Sequence, residues 1–264
     1  MELSGRRVLV TGASRGIGEC TARAFADAGA RVALVARSEE PLAKLAAELG
    51  GDAYPTDLAD PNAVAGLFDR IEVDGIVDVV VNNAGIDLTG RFVDTDPAGI
   101  ERLYRVNLLA PTELCRQALA RMLPRGRGHI VNVSSLAGVS AVPGLAAYSA
   151  SKAGLSHLTG ALRAETRGTG IGTTLVELGP VPTDMLAGVH EYGPTERSFA
   201  RGRQIGVIVD VEPDVVASAI VNAVRRDRRH VRLPRRSSLL MMLGEAPRRL
   251  TEIILIGVDH HRHP

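Results

Sequence analysis

Residues 6–37 read RRVLVTGASRGIGECTARAFADAGARVALVAR, and the order of signals in that stretch decides the fold. A short apolar run (6–12) enters a glycine-rich turn, and an Ala-rich amphipathic segment follows and stops at Gly29. A second apolar run occupies 30–36. Short strands that are apolar throughout are buried on both faces, and helices between them make neighbouring strands parallel. The same alternation continues along the chain. It predicts further strands over 75–85, 128–135 and 171–179 and a last one near 229–233. Helices are predicted near 17–29, 39–49, 61–71, 98–123, 147–168 and 212–225. Gly29 and Gly50 mark helix ends, and Ser38 followed by Glu39 and Glu40 marks a helix start with acids on the positive end of its dipole. The fold class is α/β: a doubly wound parallel sheet of about seven strands flanked by helices, in a single domain covering 1–264.

Composition narrows the function. A chain of 264 residues fits one large α/β domain, and no linker, repeat or low-complexity tract interrupts it. The formal charge of +1 gives no global attraction to nucleic acid. Cys20 and Cys115 are far apart and match no metal spacing, so we expect reduced thiols, no metal and a cytoplasmic protein. The N-terminus runs directly into the first strand without the layout of a signal peptide, and no apolar run approaches the ~20 residues of a membrane span.

In doubly wound sheets ligands lie beyond the carboxyl ends of the strands. After the first strand, Gly12, Gly16 and Gly18 have the spacing G-x3-G-x-G, with Ser14, Arg15 and Ile17 between them. Glycines there let the backbone approach a pyrophosphate, which the free N–H groups of the following helix then meet. A free ribose 2′-hydroxyl usually calls for an Asp or Glu at the end of the second strand. Here Ala36 and Arg37 stand there instead, and Arg15 is expected to converge with Arg37 on a 2′-phosphate. The expected cofactor is therefore NADP(H), preferred over NAD(H).

The segment GLAAYSASKAGLSHL (144–158) holds one of only two lysines in a chain with 31 Lys and Arg residues. Tyr148 and Lys152 are spaced i, i+4 and share one helix face. A fixed ammonium beside a phenol is expected to lower its pKa from about 10, and a compact ammonium can also hold ribose hydroxyls. Ser135, at the end of the strand over 128–135, is placed to donate to a substrate oxygen that becomes negative during hydride transfer.

Taken together, TGASRGIG (11–18), NNAG (82–85), Asn107 in YRVNLLAP, GHIVNVSS (128–135) and YSASK (148–152) closely resemble the short-chain dehydrogenase/reductase family, in the right order from residue 5 to about 185. The resemblance implies a Rossmann-type fold and roles for matching residues. Tyr148 would be the general acid/base, and Lys152 would lower its pKa and bind the nicotinamide ribose. Ser135 would polarise the substrate oxygen, and Asn107 would hold a water linking Lys152 to solvent. Asp57, with Leu58 beside it, would contact the adenine ring, and Asn83, Ala84 and Gly85 would line the adenosine ribose. The family's Pro-Gly after the sixth strand is Leu178-Gly179 here; Gly179, Val181 and Thr183 would clasp the nicotinamide end, with Pro180 and Pro182 restoring stiffness.

Residues 185–206 fall where such enzymes carry a substrate lid. Ser135, Val142, Leu145 and Met185, with Leu186, give an apolar pocket mouth and so a lipophilic carbonyl or alcohol as the small-molecule substrate. His190 and Tyr192 are candidates to touch substrate, with a solvated loop residue the preferred reading for the His. Residues 225–236 hold seven arginines, followed by apolar segments. A docked terminal helix is expected beyond 236, weak contact with a membrane surface being the alternative. By the resemblance, helices 98–123 and 147–168 would pair copies into a dimer or tetramer. The rival functions are a nucleotide-binding regulator without turnover and a peripheral membrane reductase of lipid-derived ketones.

Overall fold

Val8 and Val10 face one side of the first strand and Leu9 the other, and all three are fully buried. This alternation sorts the apolar residues of the sheet into two cores. The computed structural model describes residues 1–235 apart from 141, 190, 191 and 207. Within them the strands are β1 (Arg7–Thr11), β2 (Arg31–Ala36), β3 (Asp52–Pro55), β4 (Val79–Asn82), β5 (Gly128–Val133), β6 (Ile171–Leu178) and β7 (His230–Leu233). All pair in parallel, in the order β3-β2-β1-β4-β5-β6-β7. The order reverses at β1/β4, so the loops after β1 and β4 diverge there and open a crevice.

One face is covered by α1 (Gly16–Asp27), α2 (Glu39–Leu49) and α10 (Pro213–Arg225), whose Phe25, Leu42, Val216 and Ile220 pack with Val8, Val10, Leu34 and Val131. On the other face, α3 (Pro61–Ala65), α4 (Leu67–Ile71) and α6 (Ala110–Met122) bring Val64, Phe68, Leu114 and Met122 against Leu9, Val35, Val80 and Ile130. Further elements are α5 (Pro97–Tyr104), α7 (Ala146–Glu165), α8 (Asp184–Val189) and α9 (Gly193–Gln204).

The differences from the sequence reading are local. The helix expected over 61–71 is interrupted at Gly66, giving α3 and α4. The helix expected over 98–123 carries a π-helical turn at Arg105–Leu109 between α5 and α6. The strand expected over 75–85 is confined to Val79–Asn82, because Asn83 leaves the sheet to hydrogen-bond Thr11. β3 is a strand that the apolar pattern missed, since DAYP is polar and only half-buried. The stretch expected to form a substrate lid holds α8 and α9. The segment beyond 236, where a docked helix was expected, lies outside the described residues, as does His190.

Candidate active site

A cleft of about 940 Å³ runs along the carboxyl ends of the strands, from Arg37 and Asp57 at one end to Leu145, Met185 and Phe199 at the other. Its floor at the β1 end is the glycine loop. Gly12 and Gly16 have φ of +67° and +56°, the left-handed region that glycine tolerates without strain. A Cβ on Gly18 would lie 2.0 Å from the Gly12 carbonyl oxygen, so the loop and α1 pack in a way that only glycine permits. Arg15 precedes α1 in extended conformation and its side chain makes no capping bond. The first N–H groups of α1 therefore have no partners within the helix, and Gly16, Ile17 and Gly18 line the cleft. An anionic diphosphate fits this backbone cradle.

Thr11, a residue the sequence reading passed over, ties this loop to the next. Its hydroxyl accepts from the backbone N–H of Asn83 and of Ala84, each at 3.0 Å, and Asn83 Nδ2 donates to the Thr11 carbonyl at 3.0 Å. Beneath them Asn82 donates to Asn132 Oδ1 at 2.8 Å, and Asn132 donates to Thr159 on α7 at 2.9 Å. This buried amide chain fixes α7 against β4 and β5 and so sets where Tyr148 and Lys152 stand.

Lys152 is 4% exposed, and its Nζ donates to the Val133 carbonyl at 3.0 Å. Burial pushes its pKa down from 10.5 to about 8. Its ammonium lies 5.8 Å from the centre of the Tyr148 ring. Ser134, next to Ser135, holds the helix from below: its hydroxyl donates to the Lys152 carbonyl at 2.9 Å and shares a hydrogen bond with Ser156 at 2.7 Å. Ser135 follows β5, caps the next turn by accepting from Ala137 N at 3.1 Å, and its hydroxyl donates to the Leu178 carbonyl at 3.4 Å, beside the Tyr148 phenol.

The expected lowering of the Tyr148 pKa is not what the structure gives. Burial raises it from 10 to about 12, the Asp87 carboxylate adds to the rise, and the nearby Ser135 hydroxyl only partly opposes it. A phenol in this environment stays protonated throughout the neutral range, which is the state of a proton donor.

The family model for short chain dehydrogenases matches residues 6–192. The chain belongs to the short-chain dehydrogenase/reductase family. It is 40% identical over 234 residues to "Probable oxidoreductase EphD" of Mycobacterium tuberculosis, an alignment that takes in 84% of this chain and 40% of the relative; the chain thus spans well under half of that protein. "Ketoacyl reductase HetN" of Nostoc sp. is 38% identical over 230 residues, covering 84% of this chain and 76% of the relative. Among solved structures, a short-chain dehydrogenase from Sphingobium yanoikuyae in complex with NADPH superposes with a TM-score of 0.78 at 27% identity, covering 98% of both chains.

Against this family frame the sequence candidates divide. Gly12, Ser14, Arg15, Gly16, Ile17, Gly18, Arg37, Asp57, Leu58, Asn83, Ala84, Gly85, Ser135, Tyr148, Lys152, Gly179, Val181 and Thr183 all line the one cleft, as do Val142, Leu145 and Met185. Asn107 does not line it. Fully buried in the π-helical turn, it donates to the Ile86 carbonyl (2.8 Å) and Ser151 (3.2 Å) and accepts from Ile86 N (2.9 Å). Its side chain clamps the loop after β4. A Cβ on Gly85 would stand 3.4 Å from Lys152 Nζ and 3.5 Å from Asn107 Oδ1, which places both polar groups around one point.

Arg15 departs from expectation. Its Nη1 pairs with Asp184 Oδ2 at 2.8 Å, at the start of α8, in place of the expected convergence with Arg37. Asp57 accepts from Ala59 N at 3.0 Å and from Arg102 Nη2 at 2.9 Å, which holds its carboxylate at the rim of the cleft.

The sequence reading also missed three groups at the far end. Phe199 and Ile208 join Val142, Leu145, Leu186 and Tyr148 in a small apolar cluster, and Asp87 faces Gly188 in α8. Tyr192 packs against Gly144, and Thr195 Oγ1 donates to the Pro143 carbonyl at 2.7 Å. These contacts seat α9 on the turn before α7. Asp87 lies two residues beyond NNAG, yet no spacing rule marks it; the residues of α8 and α9 meet the cleft only through the tertiary fold.

Proposed function

We propose that the chain is an NADP(H)-dependent oxidoreductase that moves hydride between the nicotinamide and a carbonyl or secondary-alcohol carbon of a lipophilic small molecule. The observation that carries this reading is the meeting of Ser135, Tyr148 and Lys152 where the glycine-loop half of the cleft runs into the apolar wall of Leu145, Leu186 and Phe199. The glycine loop and the start of α1 would hold the diphosphate, with Arg37 and Arg15 at the 2′-phosphate. Asp57 and Leu58 would meet the adenine, and Asn83, Ala84 and Gly85 the adenosine ribose. Gly179, Val181 and Thr183 would hold the nicotinamide end. NADPH supplies the hydride.

The chain's own residues handle the oxygen and the proton. Ser135 donates a hydrogen bond to the substrate oxygen as negative charge develops there. Tyr148 transfers its phenolic proton to that oxygen as the carbon receives hydride, so the alcohol is complete and the phenolate regains a proton from solvent. The Lys152 ammonium stabilises the transient phenolate and would bond the nicotinamide ribose. Asn107 positions the loop of Ile86 around them. The apolar wall supports a lipophilic substrate, a class that includes ketoacyl groups such as the name of HetN indicates for that relative. Pairing of copies through α5–α6 and α7 belongs to the same reading, with size-exclusion chromatography coupled to light scattering as its check.

The test is a fluorescence titration with NADPH and with NADH, repeated with Arg37→Ala. The reading predicts tighter NADPH binding that falls toward the NADH value in the variant. Binding of neither nucleotide would overturn it.

A further inference from the structure

Arg15, expected at a cofactor phosphate, pairs in the structure with one of the protein's own carboxylates, Asp184. It follows β1, whereas Arg37 follows β2 one strand away, and Asp184 follows β6, three strands away on the other side. Arg37 and Asp184 therefore follow strands that lie on opposite sides of β1. Arg15 nonetheless reaches toward the farther side, with Nη1 2.8 Å from Asp184 Oδ2. The approach is supported by the adjoining backbone: a Cβ on Gly16 would lie 3.2 Å from Thr183 Cγ2, so glycine loop and lid base touch at this point. Both partners are exposed, at 71% and 76%, so the pair is free to exchange.

We propose that Asp184 is a cofactor-selectivity residue that competes with the 2′-phosphate for the Arg15 guanidinium. This rests on the NADP(H) reading above. A phosphate at the β2 end carries more charge than a carboxylate and offers Arg15 and Arg37 a shared, bidentate partner. Binding NADPH therefore requires Arg15 to leave Asp184, while NADH leaves that pair intact. Asp184 thus sets back NADPH affinity and leaves NADH affinity unchanged. Exposed single ion pairs are weak, so the penalty is about three- to fivefold in affinity.

The experiment measures dissociation constants of NADPH and NADH for wild type, Asp184→Asn, Asp184→Glu and Arg37→Ala. The inference predicts that Asp184→Asn binds NADPH about three- to fivefold more tightly with NADH unchanged, and that Asp184→Glu behaves as wild type. Unchanged NADPH affinity in Asp184→Asn overturns it. So does weaker binding of both nucleotides, which would make the pair a strap over the cofactor. If wild type does not distinguish the nucleotides and Arg37→Ala has no effect, the NADP(H) reading falls and the inference with it. If Arg37→Ala abolishes a wild-type preference that Asp184→Asn leaves untouched, the inference alone is refuted.

Discussion

Replacing Lys152 by Met is expected to make the nucleotide-free protein more stable while removing its activity. Met is similar in length and fills an irregular site easily. Lys152 is 4% exposed, and its pKa falls from 10.5 to about 8 because burial disfavours the ammonium. At about 1.4 kcal/mol per pH unit, keeping that charge at pH 7 costs the folded state about 3 kcal/mol. The Met variant recovers this but leaves the Val133 carbonyl without the Lys152 donor, a loss of about 1 kcal/mol. The net gain is about 2 kcal/mol, or roughly 4–8 °C in Tm for a chain of this size.

The pH dependence separates this cause from general repacking. Folded Lys152 loses its proton near pH 8 and the unfolded chain near 10.5, so between those values the unfolded state binds more protons. Wild-type stability rises with pH across that window through this group. The advantage of Lys152→Met is therefore full at pH 7 and absent above about pH 10.5. Urea unfolding without nucleotide at pH 7 and pH 10, with turnover measured alongside, is the assay. A variant less stable than wild type at pH 7, or a difference that does not shrink with pH, would refute the reasoning.

Gly18→Ala forces a methyl to within 2.0 Å of the Gly12 carbonyl; a loss of about 1–3 kcal/mol of stability is expected in thermal unfolding, together with at least about tenfold weaker nucleotide binding by fluorescence. Tyr148→Phe should bind nucleotide as wild type while kcat falls by about 10²–10⁴-fold, the usual range for loss of a general acid. His129 is buried and its pKa is pushed down to about 4, with Nε2 2.8 Å from Thr174 Oγ1. Acidification from pH 6.5 to 4 protonates the unfolded chain first, so wild type should lose about 3 kcal/mol more than His129→Gln over that range, as read by urea unfolding at each pH.

The parallel sheet was legible because each central strand is apolar on both faces and each turn after a strand carries glycine or a cap. Only β3 escaped, since a four-residue edge strand of composition DAYP has no apolar signal. The candidate site residues were legible for a different reason: the motifs that carry them sit at strand ends and resemble the family's, and Gly12, Ser135, Tyr148 and Lys152 do line one cleft. What the sequence did not show is how those groups are wired. Thr11 and Ser134 act through hydrogen bonds to distant backbone, and the Arg15 pair with Asp184 spans 169 positions. The Tyr148 pKa was misjudged because the spacing to Lys152 was visible while the burial of the phenol and the nearness of Asp87 were not.

The most direct test of the account is deuteride transfer from NADPH labelled at nicotinamide C4 to a lipophilic ketone, followed by mass spectrometry of the alcohol, with wild type beside Tyr148→Phe. The account predicts one deuterium on the carbinol carbon with wild type and a strongly reduced yield with the variant. Equal yields from the two proteins, or nucleotide binding without label transfer to any ketone of a broad panel, would contradict it.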